Sequence, residues 1–272
     1  MKVGAIASIV DELDSAFAQS RQIDPIAARV PGFDVPHAYE VLAQLHARRV
    51  TRGWRPLGRK IGFTNTTIWQ RYGVDRSMWS HVWDRTVHFA RDDDCVLSTA
   101  GLMEPRIEPE VVFGLRSSIP AGNDPRAVLN AIEWIAPGFE IVHSVFPQWR
   151  FTAADCTAAL GLHASLGVGR RHAITDEERS MLVDKLAHFD LALYREDQLI
   201  ETGHGANVLG SPLLALMHLR DVLASQPQFP QLAAGEIVTT GTLTDAWPVR
   251  SGERWSSDYT TLGIDGLRVT LA

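Results

Sequence analysis

Three glutamates have the residue type and the spacing of metal ligands. Glu108 and Glu110 lie in the run IEPE (107–110), which leads into the apolar segment VVF (111–113). Side chains two apart on a strand point to the same face, so these carboxylates would repel each other unless a cation lies between them. A hard divalent ion such as Mg²⁺ prefers carboxylate oxygens. A solvated acidic loop is the alternative interpretation of this pair.

Glu140 supplies a third carboxylate from a different part of the chain. It lies in the apolar run GFEIV (138–142), where an ionised side chain is costly unless it is paired or bound to a metal. Strand alternation could project Glu140 into a cavity beside the other two glutamates. A salt bridge to an arginine is the alternative, and spacing alone does not decide between them.

Lys60 is a candidate for handling substrate charge. It is one of three lysines and lies in the run GRKIGF (58–63), whose glycines would allow a ligand to approach closely. Its ammonium could hold a substrate carboxylate or enolate, or donate a proton if it is partly desolvated. A surface lysine is the alternative.

Two histidines and a turn near the C-terminus are further candidates. His81 and His143 titrate near neutral pH and could move protons, although a lone histidine is more often structural. Residues 236–240 are typical of a strand, and the Thr/Gly turn after it has amides and hydroxyls suited to a carboxylate. A set of aromatic residues at near-helical spacing is expected to pack in the interior: Trp69, Tyr72, Trp79 and Trp83.

The elements that must position these residues divide the chain in two. Residues 1–55 form a predicted N-terminal helical segment, with one helix over 4–20 and a second that is capped by Asp34 and runs to about Arg49. Residues 56–272 form a predicted mixed-sheet catalytic domain. Its predicted strands are 60–63, 111–115, 138–142, 164–168, 189–194, 236–240 and 267–271, with helices at about 125–134, 175–186 and 212–225.

Composition excludes several classes of protein. The 272 residues are 45% hydrophobic and carry a formal charge of −6, with no basic run of the kind that nucleic-acid binding needs. No window approaches the roughly 18–20 apolar residues of a membrane span, and we expect a cytoplasmic protein. Cys95 and Cys156 lack metal-type spacing and are expected in the core. Phosphate-loop, zinc and nucleophile-elbow motifs are missing from the sequence.

Five segments in order resemble the fumarylacetoacetate hydrolase superfamily, in particular its branch of 2-keto-4-pentenoate hydratases and 4-oxalocrotonate decarboxylases. They are GRKIG (58–62), IEPE (107–110), EIVHS (140–144), GANVLGSP (205–212) and GEIVTTGT (235–242). The resemblance covers nearly the whole chain. It implies an α+β fold with a mixed β-roll core and a homo-oligomer.

The same resemblance assigns roles to individual residues. It implies Mg²⁺ or Mn²⁺ held by the three glutamates, and Lys60 as the active-site lysine. Phe63 and Thr242 are then expected to contact a small 2-oxo acid substrate. The residues so assigned to the metal are Glu108, Glu110 and Glu140.

Three departures from the family pattern limit the functional prediction. Met78 stands where these enzymes usually have an aspartate, residues 158–163 (AALGLH) replace an Ala-Asp-Asn-Ala-Ser stretch, and His143 follows the third metal motif in place of aspartate. His81 or His143 could replace the missing acid. The expected function is a metal-dependent hydratase of aromatic-compound catabolism. The alternatives are carbon–carbon cleavage by a decarboxylase or acylpyruvate hydrolase, and a non-catalytic accessory subunit.

Overall fold

The computed structural model describes residues 3–66, 69–72 and 76–272. The helices are α1 Val3–Ala18, α2 Ile26–Arg29, α3 Val35–Thr51, α4 Trp69–Tyr72, α5 Pro125–Asn130, α6 Ala153–Ala158, α7 Asp176–His188 and α8 Pro212–Ala224. The strands are β1 Pro56–Gly62, β2 Met78–Trp83, β3 Val87–Phe89, β4 Asp94–Leu97, β5 Arg106–Leu115, β6 Ile132–Val142, β7 His163–Val168, β8 His172–Ala173, β9 Asp190–Arg195, β10 Gln198–His204, β11 Ile237–Thr239, β12 Trp247–Pro248, β13 Arg254–Asp258 and β14 Arg268–Leu271.

The described strands form two mixed sheets. The larger sheet has nine strands in the order β2-β1-β11-β5-β6-β7-β3, with β12 paired to β5 and β8 paired to β6. The smaller sheet has five strands in the order β10-β9-β13-β14-β4. Parallel pairs, such as β1 with β11, occur beside antiparallel pairs, such as β5 with β6. The predicted α+β class with a mixed-sheet core is therefore confirmed.

The N-terminal helices pack into the same core as the sheet. Asp34 caps α3 by accepting a hydrogen bond from the His37 amide at 3.1 Å, as predicted. Leu13 of α1 and Leu42 of α3 belong to one buried apolar cluster with Phe113 of β5. The predicted boundary after residue 55 falls between α3 and β1. Because residues on both sides of this boundary share one apolar core, the division into two parts stays a prediction.

The long β5–β6 hairpin corrects one helix boundary. The predicted helix over 125–134 ends at Asn130, and Ile132 begins β6 opposite Leu115. Pairing along ten positions of β5 outweighs the local helical pattern at this junction, because β-branched Ile132 and Ile135 are completely buried in the sheet.

The structure also corrects part of the prediction for the aromatic residues at near-helical spacing. Trp79 and Trp83 lie on β2, a strand whose six residues are all buried, and not on a helix. A strand that is covered on both faces shows no alternation of apolar and polar residues, so spacing alone misassigned it. The expected packing role fits, because both indoles are buried. Helix α6, which Thr152 and Asp155 start with a capping box, was not predicted.

Two smaller predictions concern the cysteines and the membrane. Cys95 and Cys156 are both buried and free, in agreement with their predicted core positions. In the described part of the chain, no helix combines the length and the hydropathy required to cross a bilayer.

Candidate metal-binding active site

The register of β5 against β6 brings the three predicted metal ligands together. Glu108 pairs directly with Glu140, and Glu110 pairs with Gly138. Glu108 and Glu110 share a face because they are two residues apart on β5. One carboxylate oxygen from each glutamate lies within 4.8 Å of the others, and we call this group the carboxylate cluster.

Two buried oxygens of the carboxylate cluster accept no hydrogen bond from the described residues, and one of the two, Glu140 Oε2, forms an ion pair with Lys60. Glu110 Oε2 accepts a hydrogen bond from the Gly241 amide at 2.7 Å, but Oε1 accepts none from the described residues. Glu140 Oε1 lies 2.7 Å from His163 Nδ1, and its Oε2 accepts no hydrogen bond in that same part of the chain. Because buried carboxylate oxygens need partners, this set of oxygen ligands fits a hard divalent cation.

The pKa values of the cluster show how strongly its charges interact. Burial raises the pKa of Glu108 to about 7, with Glu140 adding to the shift and Lys60 opposing it. Burial and the charges of Glu140 and Glu108 raise the pKa of Glu110 well above its usual value. Burial also opposes ionisation of Glu140, but Lys60 and His163 outweigh it and lower its pKa to about 2. Without a cation, the cluster therefore retains protons near neutral pH.

Lys60 projects from β1 into the cluster and stays charged. Its Nζ donates a hydrogen bond to the Gly161 carbonyl at 2.9 Å and lies 3.1 Å from Glu140 Oε2. Burial disfavours the ammonium, but Glu140, Glu108 and Glu110 outweigh this effect and raise the pKa of Lys60. A β-carbon on Gly161, whose φ is +61°, would lie 3.1 Å from Lys60 Cδ, so this glycine leaves room for the lysine stem.

A cavity with two kinds of wall adjoins the cluster. Its polar wall includes Lys60, Glu108 and Thr242. Its apolar wall consists of Phe63, Val142, Trp149, Leu162 and Ala246. Such a division suits a small acid that has one polar end and one carbon end.

The structure places both predicted substrate contacts in this cavity. Phe63 follows β1 with a φ of +55°, and its carbonyl accepts a hydrogen bond from Trp69 Nε1 at 2.9 Å. The Thr242 hydroxyl donates to the Thr244 carbonyl at 3.0 Å. The C-terminal Thr/Gly turn therefore lies at the polar wall, where the sequence predicted a carboxylate site.

The structure corrects the prediction for His81. In the β1–β2 register His81 pairs with Arg59, and Ser80 pairs with Lys60, so the histidine faces away from the cluster. Its ring lies 4.0 Å from that of His46, and burial strongly lowers its pKa. A buried, neutral ring on the opposite face has no route to the cavity, so a proton-transfer role does not fit.

His143 and Met78 do not supply the missing acid either. Burial lowers the pKa of His143 to about 4, and its Nδ1 accepts a hydrogen bond from the Met103 amide at 3.4 Å. Met78 is buried on β2, with its sulfur 3.8 Å from the Thr157 hydroxyl. The acid expected at this position is thus replaced by a thioether.

His163, which the sequence did not single out, contacts the cluster directly. Its Nδ1 lies 2.7 Å from Glu140 Oε1, and its Nε2 lies 2.8 Å from Thr86 Oγ1. Burial lowers the pKa of His163, so the ring is neutral and can donate through Nδ1 while it accepts from Thr86. The available signal was its position at the start of a predicted strand within the altered segment 158–163.

Comparisons with known proteins agree with this geometry. No protein-family model matches the chain. The chain is 27% identical over 263 residues to a 4-oxalocrotonate decarboxylase of a Pseudomonas species, which covers 97% of this chain and 96% of that protein. It is 30% identical over 257 residues to a 2-keto-4-pentenoate hydratase of Dechloromonas aromatica, which covers 92% of each.

Solved structures confirm the fold. A 4-oxalocrotonate decarboxylase from Pseudomonas putida G7, complexed with magnesium and adipate, superposes with a TM-score of 0.88 and 21% identity over 100% of this chain and 99% of that one. Other structures of the same fold are described as fumarylacetoacetate hydrolase family proteins. The chain therefore belongs to the family of its 2-keto-4-pentenoate hydratase and 4-oxalocrotonate decarboxylase relatives.

Proposed function

We propose that this protein is a divalent-metal-dependent lyase that hydrates a 2-hydroxydienoate or its 2-oxo form. The observation that carries the proposal is the carboxylate cluster, in which three glutamate side chains converge beside the charged Lys60. The hydratases among its relatives act on substrates of this class. The cluster, the lysine and the cavity wall each have a part in such a reaction.

Glu108, Glu110 and Glu140 would hold the metal, and we propose Mg²⁺ or Mn²⁺. Solved structures of this fold were obtained with magnesium, calcium and manganese. When bound, a divalent cation supplies Lewis-acid stabilisation of the negative charge that develops on a 2-oxo acid.

The chain's own residues would bind and orient the substrate. Lys60, protonated and buried, would offset negative charge on the substrate carboxylate or enolate oxygen. Thr242 would contact the polar end of the substrate, and Phe63 its carbon end. His163 would hold Glu140 in position through Nδ1. We also propose a cytoplasmic homo-oligomer.

Decarboxylation on the same site is the second candidate, and Met78 favours it. A thioether in place of an acid removes a group that could deliver a proton to or from water. A drier site favours loss of carbon dioxide over addition of water. An accessory subunit without activity is disfavoured, because two buried carboxylates and the half-buried Glu108 have no structural reason to remain clustered without a cation to bind.

The assay that tests this proposal uses 2-hydroxypenta-2,4-dienoate with Mg²⁺, with Mn²⁺ and with EDTA. We expect metal-dependent turnover, and a Glu108→Gln variant should lose it together with metal affinity. Glu177→Gln on the exposed face of α7 is the matched control and should retain both. NMR of the products separates the two candidates, because hydration keeps every carbon and decarboxylation does not. Absence of metal-dependent turnover of any 2-oxo acid would contradict the proposal.

A further inference from the structure

The loop that carries Trp149 is held in a strained conformation. Gln148 and Trp149 are consecutive non-glycine residues with φ values of +59° and +56°. Glu104 fixes both, because its Oε1 accepts from the Gln148 amide at 2.9 Å and its carbonyl accepts from Trp149 Nε1 at 3.0 Å. Strain of this kind persists where the surroundings determine the conformation, often beside a ligand site.

Trp149 forms part of the apolar wall of the substrate cavity. Its neighbours in that wall are Phe63, Val142, Leu162 and Ala246, and none of these side chains has a polar group. The charged groups that line the cavity within the described residues, Lys60 and Glu108, lie at the polar wall. A carboxylate at the far end of a substrate, away from Lys60, would therefore meet apolar side chains and glycine backbone, with no cationic side chain among the described lining residues.

Arg106 lies behind the indole. It shares the face of β5 with Glu108, two residues further on, which would direct its side chain towards the cavity. Its guanidinium carbon instead lies 4.2 Å from the centroid of the Trp149 ring, and its Nη1 donates to the Ala246 carbonyl at 3.5 Å. The cavity is lined by Trp149 and by Ala246, so the indole lies between the cation and the substrate space.

We propose that Trp149 is a specificity-determining residue that selects 2-oxo acids with an uncharged far end and rejects those with a second carboxylate. This inference rests on the proposed function and defines its substrate class. A carboxylate that is moved from water into an apolar wall without a partner is strongly disfavoured, which provides the discrimination. The indole both supplies the apolar contact and separates the substrate from Arg106.

Calorimetric binding to the Mg²⁺-loaded protein tests the inference without turnover. The two probes are 2-oxopentanoate and 2-oxopentanedioate, which have equal chain length and differ in the far carboxylate. We expect the wild-type protein to bind the monocarboxylate about tenfold more tightly or better. In Trp149→Ala this ratio should fall at least about tenfold, because the dicarboxylate can then reach Arg106.

Three further variants make the result specific. Trp149→Phe should keep the wild-type preference, and Trp149→Ala combined with Arg106→Gln should lose the gained affinity for the dicarboxylate. Trp54→Ala, which lies outside this cavity, is the matched control and should leave the ratio unchanged. Equal binding of both acids by the wild type, or an unchanged ratio in Trp149→Ala, would overturn the inference alone. Binding of neither acid would overturn the proposed function and the inference with it.

Discussion

Arg59 and Lys60 are neighbours on β1, but their side chains enter two very different buried polar regions. Lys60 reaches the carboxylate cluster, where its Nζ lies 3.1 Å from Glu140 Oε2 and where Glu110 Oε1 accepts no hydrogen bond from the described residues. Arg59 points to the other face of the sheet, where it forms a 2.8 Å ion pair with Glu236 and lies 5.3 Å from the Trp79 ring. The first region adjoins the substrate cavity. The second packs among aromatic rings, and its Arg49 lines a separate cavity.

The second region, which we call the cation cluster, consists of His46, Arg49, Arg59 and His81. Its members stack on one another and on neighbouring rings, as in the 4.0 Å contact between the two histidines and the 4.8 Å contact of Arg49 with Trp54. Burial lowers the pKa of each of these four groups. Buried charge alone therefore does not identify a functional site. Carboxylates from neighbouring strands that converge beside a cavity are the better indicator.

Replacement of Lys60 or of Arg59, the two neighbours on β1, by methionine should produce the largest difference in activity between the two regions. Lys60→Met should lower kcat/KM by about 10²–10³-fold, because the site loses the charge that stabilises the developing anion. Arg59→Met should leave kcat/KM nearly unchanged but lower the free energy of unfolding by about 1–3 kcal/mol, because Glu236 loses its partner. Steady-state kinetics and urea unfolding measure both effects. Similar losses of activity in the two variants would remove the distinction.

Variants of the two buried histidines, His163 and His81, should differ in metal affinity. This difference should be smaller than the difference in kcat/KM between the Lys60 and Arg59 variants. His163→Ala should weaken Mg²⁺ or Mn²⁺ binding by about 10–100-fold, because Glu140 loses the group that orients it. His81→Phe should leave metal affinity unchanged. Titration calorimetry measures both, and His163→Gln, whose amide can still donate to Glu140, should recover part of the loss. A metal affinity that depends on His81 would show that the two regions are coupled.

The pH dependence of stability should show the smallest effect. A carboxyl whose folded pKa lies above its unfolded value holds a proton that stabilises the fold at low pH. This contribution disappears as the pH rises through the folded value. Glu108, with a pKa raised from 4.5 to about 7, and Glu110, raised further, both behave in this way. Between pH 5 and pH 8, the melting temperature of the metal-free wild type should therefore fall by a few degrees relative to that of a Glu108→Gln variant. This comparison cancels the opposite effect of the buried histidines, whose pKa values are lowered.

Added Mg²⁺ provides the control for this pH effect. A bound cation replaces the protons, so it should raise the melting temperature more at pH 8 than at pH 6. Glu140 does not contribute in this range, because its lowered pKa affects stability only at much lower pH. Parallel pH dependence of the melting temperature in the metal-free wild type and in Glu108→Gln would contradict the assignment of protons to the cluster.

The sequence predicted the parts of the molecule that local chemistry determines. Alternation along β5 was enough to place the carboxylates of Glu108 and Glu110 on a common face. The Asp34 cap and the Thr/Gly turn beside Thr242 follow from local backbone requirements in the same way. The resemblance then supplied what spacing left open, namely that the three acids meet.

The sequence did not predict the features that depend on which face of the sheet a side chain occupies. The sequence singled out His81 and not His163, although both histidines lie in strands of the larger sheet. The register of β1 with β2 turns His81 away, and the pairing of His163 with Val142 turns that residue towards Glu140. Trp149 lies in a loop whose left-handed residues no local pattern indicates.

The pairing of Glu108 with Glu140 also has a consequence for folding. Side chains alternate between the two faces of a sheet, so a slip of one residue between β5 and β6 would move one glutamate to the opposite face. A slipped hairpin could not gather three carboxylates around one ion. Because a metal binds only the correctly aligned chain, it would stabilise that register against its alternatives while the sheet assembles. The cation would thus select among folding outcomes before it takes part in any chemistry.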